Sequence, residues 1–326
     1  RIGYFRSIER DFGITNMNLF SSAAFSVLAL GTMPALALDL GNGLSLTGNV
    51  ELEYVSYSDG DDATVGFSDL TLGWRSQGGG ALGFGVDLTL VNFEDFDDNE
   101  GRGAVWGGLV LTTGLGEFTI GNPRPLIETM ITSPDIGGFR LLDLELATVT
   151  GSTLEGLVLF QEDVDSYGVS FKGTSGALTY GASYHKLEQG PFEADAIELV
   201  MTYQMGKTAL LGGAEIIDTP STDGEKLLLG ATYTEDRWSA GALLTSASQG
   251  SSDYDSVKLW GDYSISDAFS VGAQVMSLNG NSSGQTFYGI TGEYGFGAGG
   301  FAELGVFDSD DAGGDRAYQA SIGYRF

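Results

Sequence analysis

The chain of 326 residues carries 51 glycines, 44 acidic against 15 basic side chains, no cysteine and a formal net charge of −29. Glycine at this density without a three-residue period excludes collagen and long-helix architectures. The acidity excludes nucleic acid as a partner, because phosphates are repelled, and the missing thiols remove disulfides, thiolate metal sites and cysteine nucleophiles.

In chain order, the first feature is an uncharged apolar run, Phe20–Leu38, containing Ala35-Leu36-Ala37 near its end. A small-x-small triplet after such a run predicts a secretory signal over residues 1–37, cut after Ala37. Gly31 and Pro34 interrupt the run and no basic flank follows it, which argues against a membrane-spanning helix. The basic residues Arg1, Arg6 and Arg10 lie far upstream, and Met17 is an alternative start.

From there to the C-terminus one period dominates. Apolar residues alternate with polar or small ones over about ten residues, as in a strand that crosses a membrane. Leu82, Phe84, Val86, Leu88 and Leu90 fall on one face, with Gly83, Gly85, Asp87 and Thr89 on the other. Sixteen strands are predicted, at about 44–57, 64–75, 81–93, 103–112, 117–121, 165–172, 177–186, 194–204, 207–217, 225–234, 238–247, 254–264, 268–278, 285–294, 299–307 and 317–326. Short connections such as 113–116 and 173–176 alternate with longer acidic ones such as 94–102 and 308–316. This predicts an all-β chain with a single domain over residues 38–326: a transmembrane antiparallel up-and-down β-barrel of about 16 strands. It must close, since an open edge in lipid leaves backbone groups unpaired. Aromatic residues near strand ends (Tyr54, Trp74, Phe84, Tyr184, Tyr203, Tyr233, Trp238, Tyr263, Phe269, Tyr294, Phe301, Phe307, Tyr318 and Tyr324) are expected on the lipid face as two girdles.

The fifth strand is short, and the connection after it, about 122–164, breaks the pattern. It mixes apolar residues (Leu126, Ile127, Met130, Ile131, Phe139) with charges, and such a loop is expected to fold inward and pack on the barrel wall. Leu154–Phe160 is alternatively read as added strand. Strand parity points Glu51, Glu53 and Asp87 inward, with Asp69 as a further candidate and Arg75 as the neighbouring base. Lys172, Lys226 and Lys258 are inward candidates on later strands.

Two local runs then carry a family likeness. One is Gly116-Glu117-Phe118-Thr119-Ile120-Gly121-Asn122; the other is the end, Tyr318-Gln319-Ala320-Ser321-Ile322-Gly323-Tyr324-Arg325-Phe326. With this organisation, residues 38–326 resemble the general porins of Gram-negative outer membranes, most closely the alphaproteobacterial, Rhodobacter-like type. The resemblance implies a trimeric, water-filled channel in the cell outer membrane, without cofactor, for passive diffusion of small hydrophilic solutes and ions. It implies that the inward third loop forms a constriction, with Arg124, Glu128, Asp135, Arg140, Asp143 and Glu145 on the loop facing Glu51, Glu53, Arg75, Asp87, Lys226 and Lys258 on the wall. It also implies that Tyr318, Ile322, Tyr324 and Phe326 form the signal for the outer-membrane barrel assembly machinery. The lipid partners would be outer-membrane lipid and lipopolysaccharide. The family's basic wall is thin here, and an acidic lumen predicts cation preference. A plugged barrel with a structural or adhesive role is the competing reading.

Other chemistry is weak. Gly295-Phe296-Gly297-Ala298-Gly299-Gly300 matches a dinucleotide-binding spacing, but strands flank it on both sides, so it reads as a turn. His185 is the only histidine and has no nucleophile signature with it, which argues against an enzyme. The acidic runs at 95–100 and 308–311 offer calcium ligands without completing a twelve-residue calcium loop.

Overall fold

The computed structural model describes residues 37–58, 62–76, 82–97, 100–140, 151–160, 164–190, 192–220, 223–250, 252–280, 284–297, 299–310 and 316–326. The segment 1–36, which holds nearly all of the expected signal, lies outside them.

Alternation of apolar and polar residues builds the strands. In chain order they are β1 (Leu38–Gly41), β2 (Leu44–Tyr57), β3 (Asp62–Arg75), β4 (Gly83–Asp95), β5 (Glu100–Thr113), β6 (Gly116–Asn122), β7 (Asp165–Ser175), β8 (Leu178–Gln189), β9 (Phe192–Met205), β10 (Thr208–Asp218), β11 (Gly224–Thr234), β12 (Trp238–Gln249), β13 (Ser252–Ser264), β14 (Phe269–Gly280), β15 (Gly284–Gly295), β16 (Gly300–Ser309) and β17 (Ala317–Arg325). From β2 onward each strand pairs antiparallel with the next, and β17 returns to β2, from Ala317↔Tyr57 to Arg325↔Asn49. The result is a closed barrel of sixteen strands, β2 to β17, with every predicted strand in place. The short β1 was not anticipated. It pairs with β2 at Leu44–Leu46, beyond the point where β17 stops.

The burial pattern is that of an inside-out protein. On β4, Phe84, Val86, Leu88 and Leu90 are exposed, while Thr89 and Val91 on the opposite face are buried. On β13, Val257 and Leu259 are exposed, while Ser256, Lys258 and Trp260 are buried. Among the described residues no helix is long and apolar enough to cross a membrane; the apolar outer band belongs in lipid, and the strands do the crossing. Most of the expected girdle aromatics are exposed on this band, including Tyr54, Trp74, Phe84, Tyr203, Trp238, Tyr263, Tyr294 and Tyr318.

Phe301 and Phe307 correct that expectation. On β16, Leu304 and Val306 face out, so the odd-numbered residues face the lumen, and both phenylalanines are buried there. The alternation is ambiguous because both faces of β16 are apolar in places. Its inner face is apolar where other parts of the chain cover it: Phe307 packs 5.6 Å from Phe139 of the inward loop, and the Arg325 guanidinium lies 4.0 Å over Phe301. Between β15 and β16, Phe296 N–H donates to Gly300 O at 2.9 Å, the hydrogen bond of a turn.

Candidate functional site

The long connection between β6 and β7 lies inside the barrel wherever it is described. Its described parts are helix α1 (Leu126–Met130), a 3-10 turn (Ile136–Gly138) and helix α2 (Thr153–Phe160). Leu154–Phe160 is therefore helix, which corrects the added-strand reading. The helix has a local cause. Ser152 and Glu155 stand three apart before an apolar run, and Ser152 Oγ accepts the Glu155 N–H at 3.4 Å as an N-cap.

Three apolar clusters fasten the loop to the inner wall. Leu126, Ile127 and Ile131 meet Val200, Leu228, Leu243 and Trp260. Leu154, Val158 and Leu159 meet Phe67, Trp106 and Leu187 among others. Ile136 and Phe139 meet Val55, Met276, Phe287 and Phe307 on the far side. The first two clusters hold the arms of the loop and the third holds its tip, so the loop crosses the lumen. At the tip the wall gives way to the backbone. A Cβ at Gly305 would stand 1.7 Å from Gly137 O, and one at Gly289 would stand 2.1 Å from Gly137 N, so only glycine lets the loop lie this close. Gly137 itself has φ +66°.

Polar groups set the register. Glu198 on β9 accepts Leu126 N–H at 2.6 Å, and Glu215 on β10 accepts Thr153 and Leu154 N–H at 3.1 and 3.2 Å. Ser152 Oγ lies 3.1 Å from Glu198 and 3.0 Å from Glu215. Two wall carboxylates, cross-strand partners of each other, thus bind the first amides of both loop helices, where the helix dipoles favour negative charge. Lys226, the partner of Glu215 on β11, donates to Gly151 O at 2.9 Å and stands 3.7 Å from Glu215. His185 is fully buried beside this group, its Nε2 3.8 Å from Glu198.

The expected constriction residues divide by position. Arg124 reaches Asp69 at 2.8 Å and Glu155 at 2.7 Å. Burial works against its charge, yet Glu155, Asp69 and Glu128 raise its pKa above the usual arginine value. Burial pushes the Glu155 carboxyl up, against the pull of Arg124. Arg140 pairs with Asp135 at 2.7 Å and Glu51 at 3.2 Å, its N–H donates to Glu53 at 3.2 Å, and its guanidinium lies 5.5 Å over Phe67. Glu128 lies on α1. Arg75 binds Asp87 at 2.6 Å and Glu117 at 3.4 Å, apart from the loop. Lys226 and Lys258 face inward but are buried, whereas Lys172 is exposed. Asp143 and Glu145 lie outside the described residues. At the terminus, Tyr318 and Ile322 are exposed on the outer band, and Tyr324 meets Phe326 edge-on at 5.0 Å.

Beside the loop tip, a cavity of about 520 Å³ is lined by Asp135, Asp262, Glu293 and Glu303 against Arg140 and Arg325, with serine and threonine hydroxyls between them. Arg325 holds Glu293 through two bonds, at 2.9 and 2.5 Å. Glu198, Glu215, Asp262, Glu293, Glu303 and Arg325 were not singled out from sequence. Each holds an inward parity position; on the later strands the parity reading named only lysines, and applying it to every charge would have found them.

Among the described residues no group of histidine and acidic side chains could hold a metal ion. Described residues of the acidic runs have structural duties. Asp97 accepts Thr64 N–H and Asp310 accepts Thr286 N–H, both at 2.6 Å, and Asp308 pairs with Arg316. Asp98, Asn99 and Asp311 lie outside the described residues.

A family model described as Gram-negative porin matches residues 23–326. No curated protein sequence matches. Among solved structures, in-vitro folded OmpT, an outer-membrane protein of Vibrio cholerae, aligns with a TM-score of 0.67 at 13% identity, covering 89% of this chain and 99% of its own; OmpT is also known in a trimer form. A porin refined at 1.8 Å aligns at 0.65 with 19% identity over 87% of this chain and 100% of its own. An anion-selective porin from Comamonas acidovorans aligns at 0.63 with 17% identity over 87% and 99%. At these identities the structures speak for the fold.

Proposed function

The chain belongs to the Gram-negative porin family, and on that footing we propose that its channel prefers cations. The protein is an outer-membrane β-barrel that forms a diffusion channel and is not an enzyme. The finer reading rests on one observation, the four carboxylates against two guanidiniums around the cavity at the loop tip. Both guanidiniums are committed to carboxylates, Arg140 to Asp135 and Glu51, Arg325 to Glu293. Passing ions therefore meet net negative charge in a narrow, low-dielectric passage, where carboxylates favour cations. Arg124, Glu128, Asp135 and Arg140 act as the constriction, with Glu51 and Glu53 behind them, and Arg75 with Asp87 tunes the field further along the wall. The working unit is a homotrimer, as OmpT can be. The narrower kinship is the Rhodobacter-like type, supported by the run Gly116–Asn122. The signal is cut after Ala37, and the terminal aromatic row directs assembly.

The test is the reversal potential of single channels in a planar bilayer under a salt gradient. A cation-sign potential supports the reading. An anion sign refutes it and gives the arginines control of the constriction. Absence of conductance from a correctly folded, heat-modifiable barrel returns the plugged-barrel reading.

A further inference from the structure

Neighbouring strands of the barrel are successive in the chain except at one place, where β17 lies against β2. In a hairpin the turn fixes the register. β17 and β2 share no turn, so their register is set by other means. The outer face alone does not set it. Sliding one strand by two residues leaves every side chain on its own face, and the alternation of apolar and polar residues is preserved.

Inside the barrel, the loop tip lies over this junction. Four inward pairs form the junction's inner face: Ala317↔Tyr57, Gln319↔Val55, Ser321↔Glu53 and Gly323↔Glu51. The tip holds one strand on each side of Phe139. Towards β17, Gln319 Nε2 donates to Gly138 O at 3.0 Å. Towards β2, Arg140 N–H donates to Glu53 Oε2 at 3.2 Å, and Arg140 Nε donates to Glu51 Oε2 at 3.2 Å. Between these bonds, Phe139 shares one buried cluster with Ile136, Val55 of β2 and Ala317 of β17.

Glu53 and Gln319 depend on the tip. Both are buried. Among the described residues Arg140 N–H is the one donor to Glu53, and Glu53 Oε1 and Gln319 Oε1 have no partner. The two side chains do not bond each other across the junction; each turns to the loop backbone instead. Without the tip, a buried carboxyl on β2 would keep no donor at all, which is a costly state. The tip also opposes a slip. With Arg140 held on β2 and β17 moved by two residues, Gly138 O would meet Ser321, whose hydroxyl is shorter, or Ala317, which has no donor.

We propose that loop residues 138–140 are a clasp across the closing junction, which fixes the register of β17 on β2 and holds the two strands together. The residues that narrow the channel thereby also complete its wall, whatever the channel passes.

The experiment reads amide hydrogen exchange by mass spectrometry in the barrel refolded in detergent. Peptides covering β2 and β17 report the junction, and peptides covering β11 and β12 serve as the reference. Arg140→Ala removes the bond to Glu51 without altering either strand. It is expected to speed exchange on both β2 and β17 about fivefold, the weight of roughly one hydrogen bond, with β11 and β12 unchanged. Arg140→Lys keeps a donor for Glu51 and is expected to stay within twofold of wild type. Gln319→Leu removes the bond to Gly138 O and is expected to speed exchange by a similar factor on β2, the strand to which it does not belong. Glu198→Leu loosens the arms of the loop away from the junction and is expected to leave β2 and β17 at wild-type rates. The clasp is overturned if the junction in Arg140→Ala exchanges within twofold of wild type, if β11 and β12 accelerate equally, or if Glu198→Leu accelerates the junction as much as the tip variants do. Should Gln319→Leu not refold, Arg140→Ala against Arg140→Lys decides.

Discussion

Replacing Glu198 by leucine tests whether wall carboxylates hold the inward loop. Glu198 accepts four bonds: Leu126 N–H at 2.6 Å, Ile127 N–H at 3.4 Å, Ser183 Oγ–H at 2.7 Å and Ser152 Oγ–H at 3.1 Å. Hydrogen bonds to a charged group are worth about 1.5–3 kcal/mol each, so the two shorter ones that come from the loop, Leu126 N–H and Ser152 Oγ–H, set a loss of ~3–6 kcal/mol. Relief of repulsion from Glu215, directly opposite on β10, returns on the order of 1 kcal/mol. The net, roughly 2–5 kcal/mol, falls on the loop, because the backbone ladders of β9 to β8 and β10 are untouched. The barrel should keep its heat-modifiable migration on gels. Cleavage within residues 126–160 by added protease should accelerate about thirtyfold or more, on the scale of 1.4 kcal/mol per decade, and single-channel current should become noisier. Cleavage within twofold of wild type, with an unchanged current trace, would show that the apolar clusters alone hold the loop and that the carboxylate reasoning is wrong.

Gly305→Ala should lift the loop tip off the wall, because its Cβ would stand 1.7 Å from Gly137 O; conductance should change, while Gly212→Ala, where a Cβ would meet Met201 and Leu229 at ordinary contact, should leave it as it was. Arg140→Ala leaves Glu51 and Asp135 without their guanidinium, and the reversal potential should move further in the cation direction; a shift toward anions would contradict the assigned charge balance. Arg124→Leu strands the buried Glu155 and should destabilise the loop by about 3–5 kcal/mol, read as faster loop proteolysis with the barrel intact. Phe326→Ala should lower the amount of assembled barrel in outer membranes several-fold while the chain still refolds in detergent, as expected for an assembly signal that adds little to the fold.

The strands were legible because a lipid-facing wall obeys a rule of period two that survives in almost every segment. Leu82 to Leu90 is enough to display it. Turns between them were legible through Gly and acidic residues at strand ends. The rule fails where the inner wall is also apolar. Phe301 and Phe307 were assigned to lipid because periodicity shows that two faces differ, not which is outside, and the answer depends on what covers them. The helix at Thr153–Phe160 carried a start signal in Ser152 and Glu155, but its apolar residues are as continuous as those of a buried strand. At the site, charges on the loop could be named from composition. Their partners could not, since Arg124 meets Asp69 across 55 positions and Arg140 meets Glu51 across 89. β1 was invisible because four residues are too few to show a period.

The barrel closes between the two strands that are farthest apart along the chain. β17 meets β2 over Ala317–Arg325, and Phe326 N–H donates to Gly48 O at 2.8 Å. Any chain cut short at its C-terminus leaves β2 and the last remaining strand with raw edges, and lipid offers those edges no hydrogen-bond partner. Partial products of synthesis are therefore not smaller barrels but unfinished sheets. What turns a sheet into a wall is thus one seam of nine residue pairs, Ala317↔Tyr57 to Arg325↔Asn49, and β2 and β17 depend on each other for it.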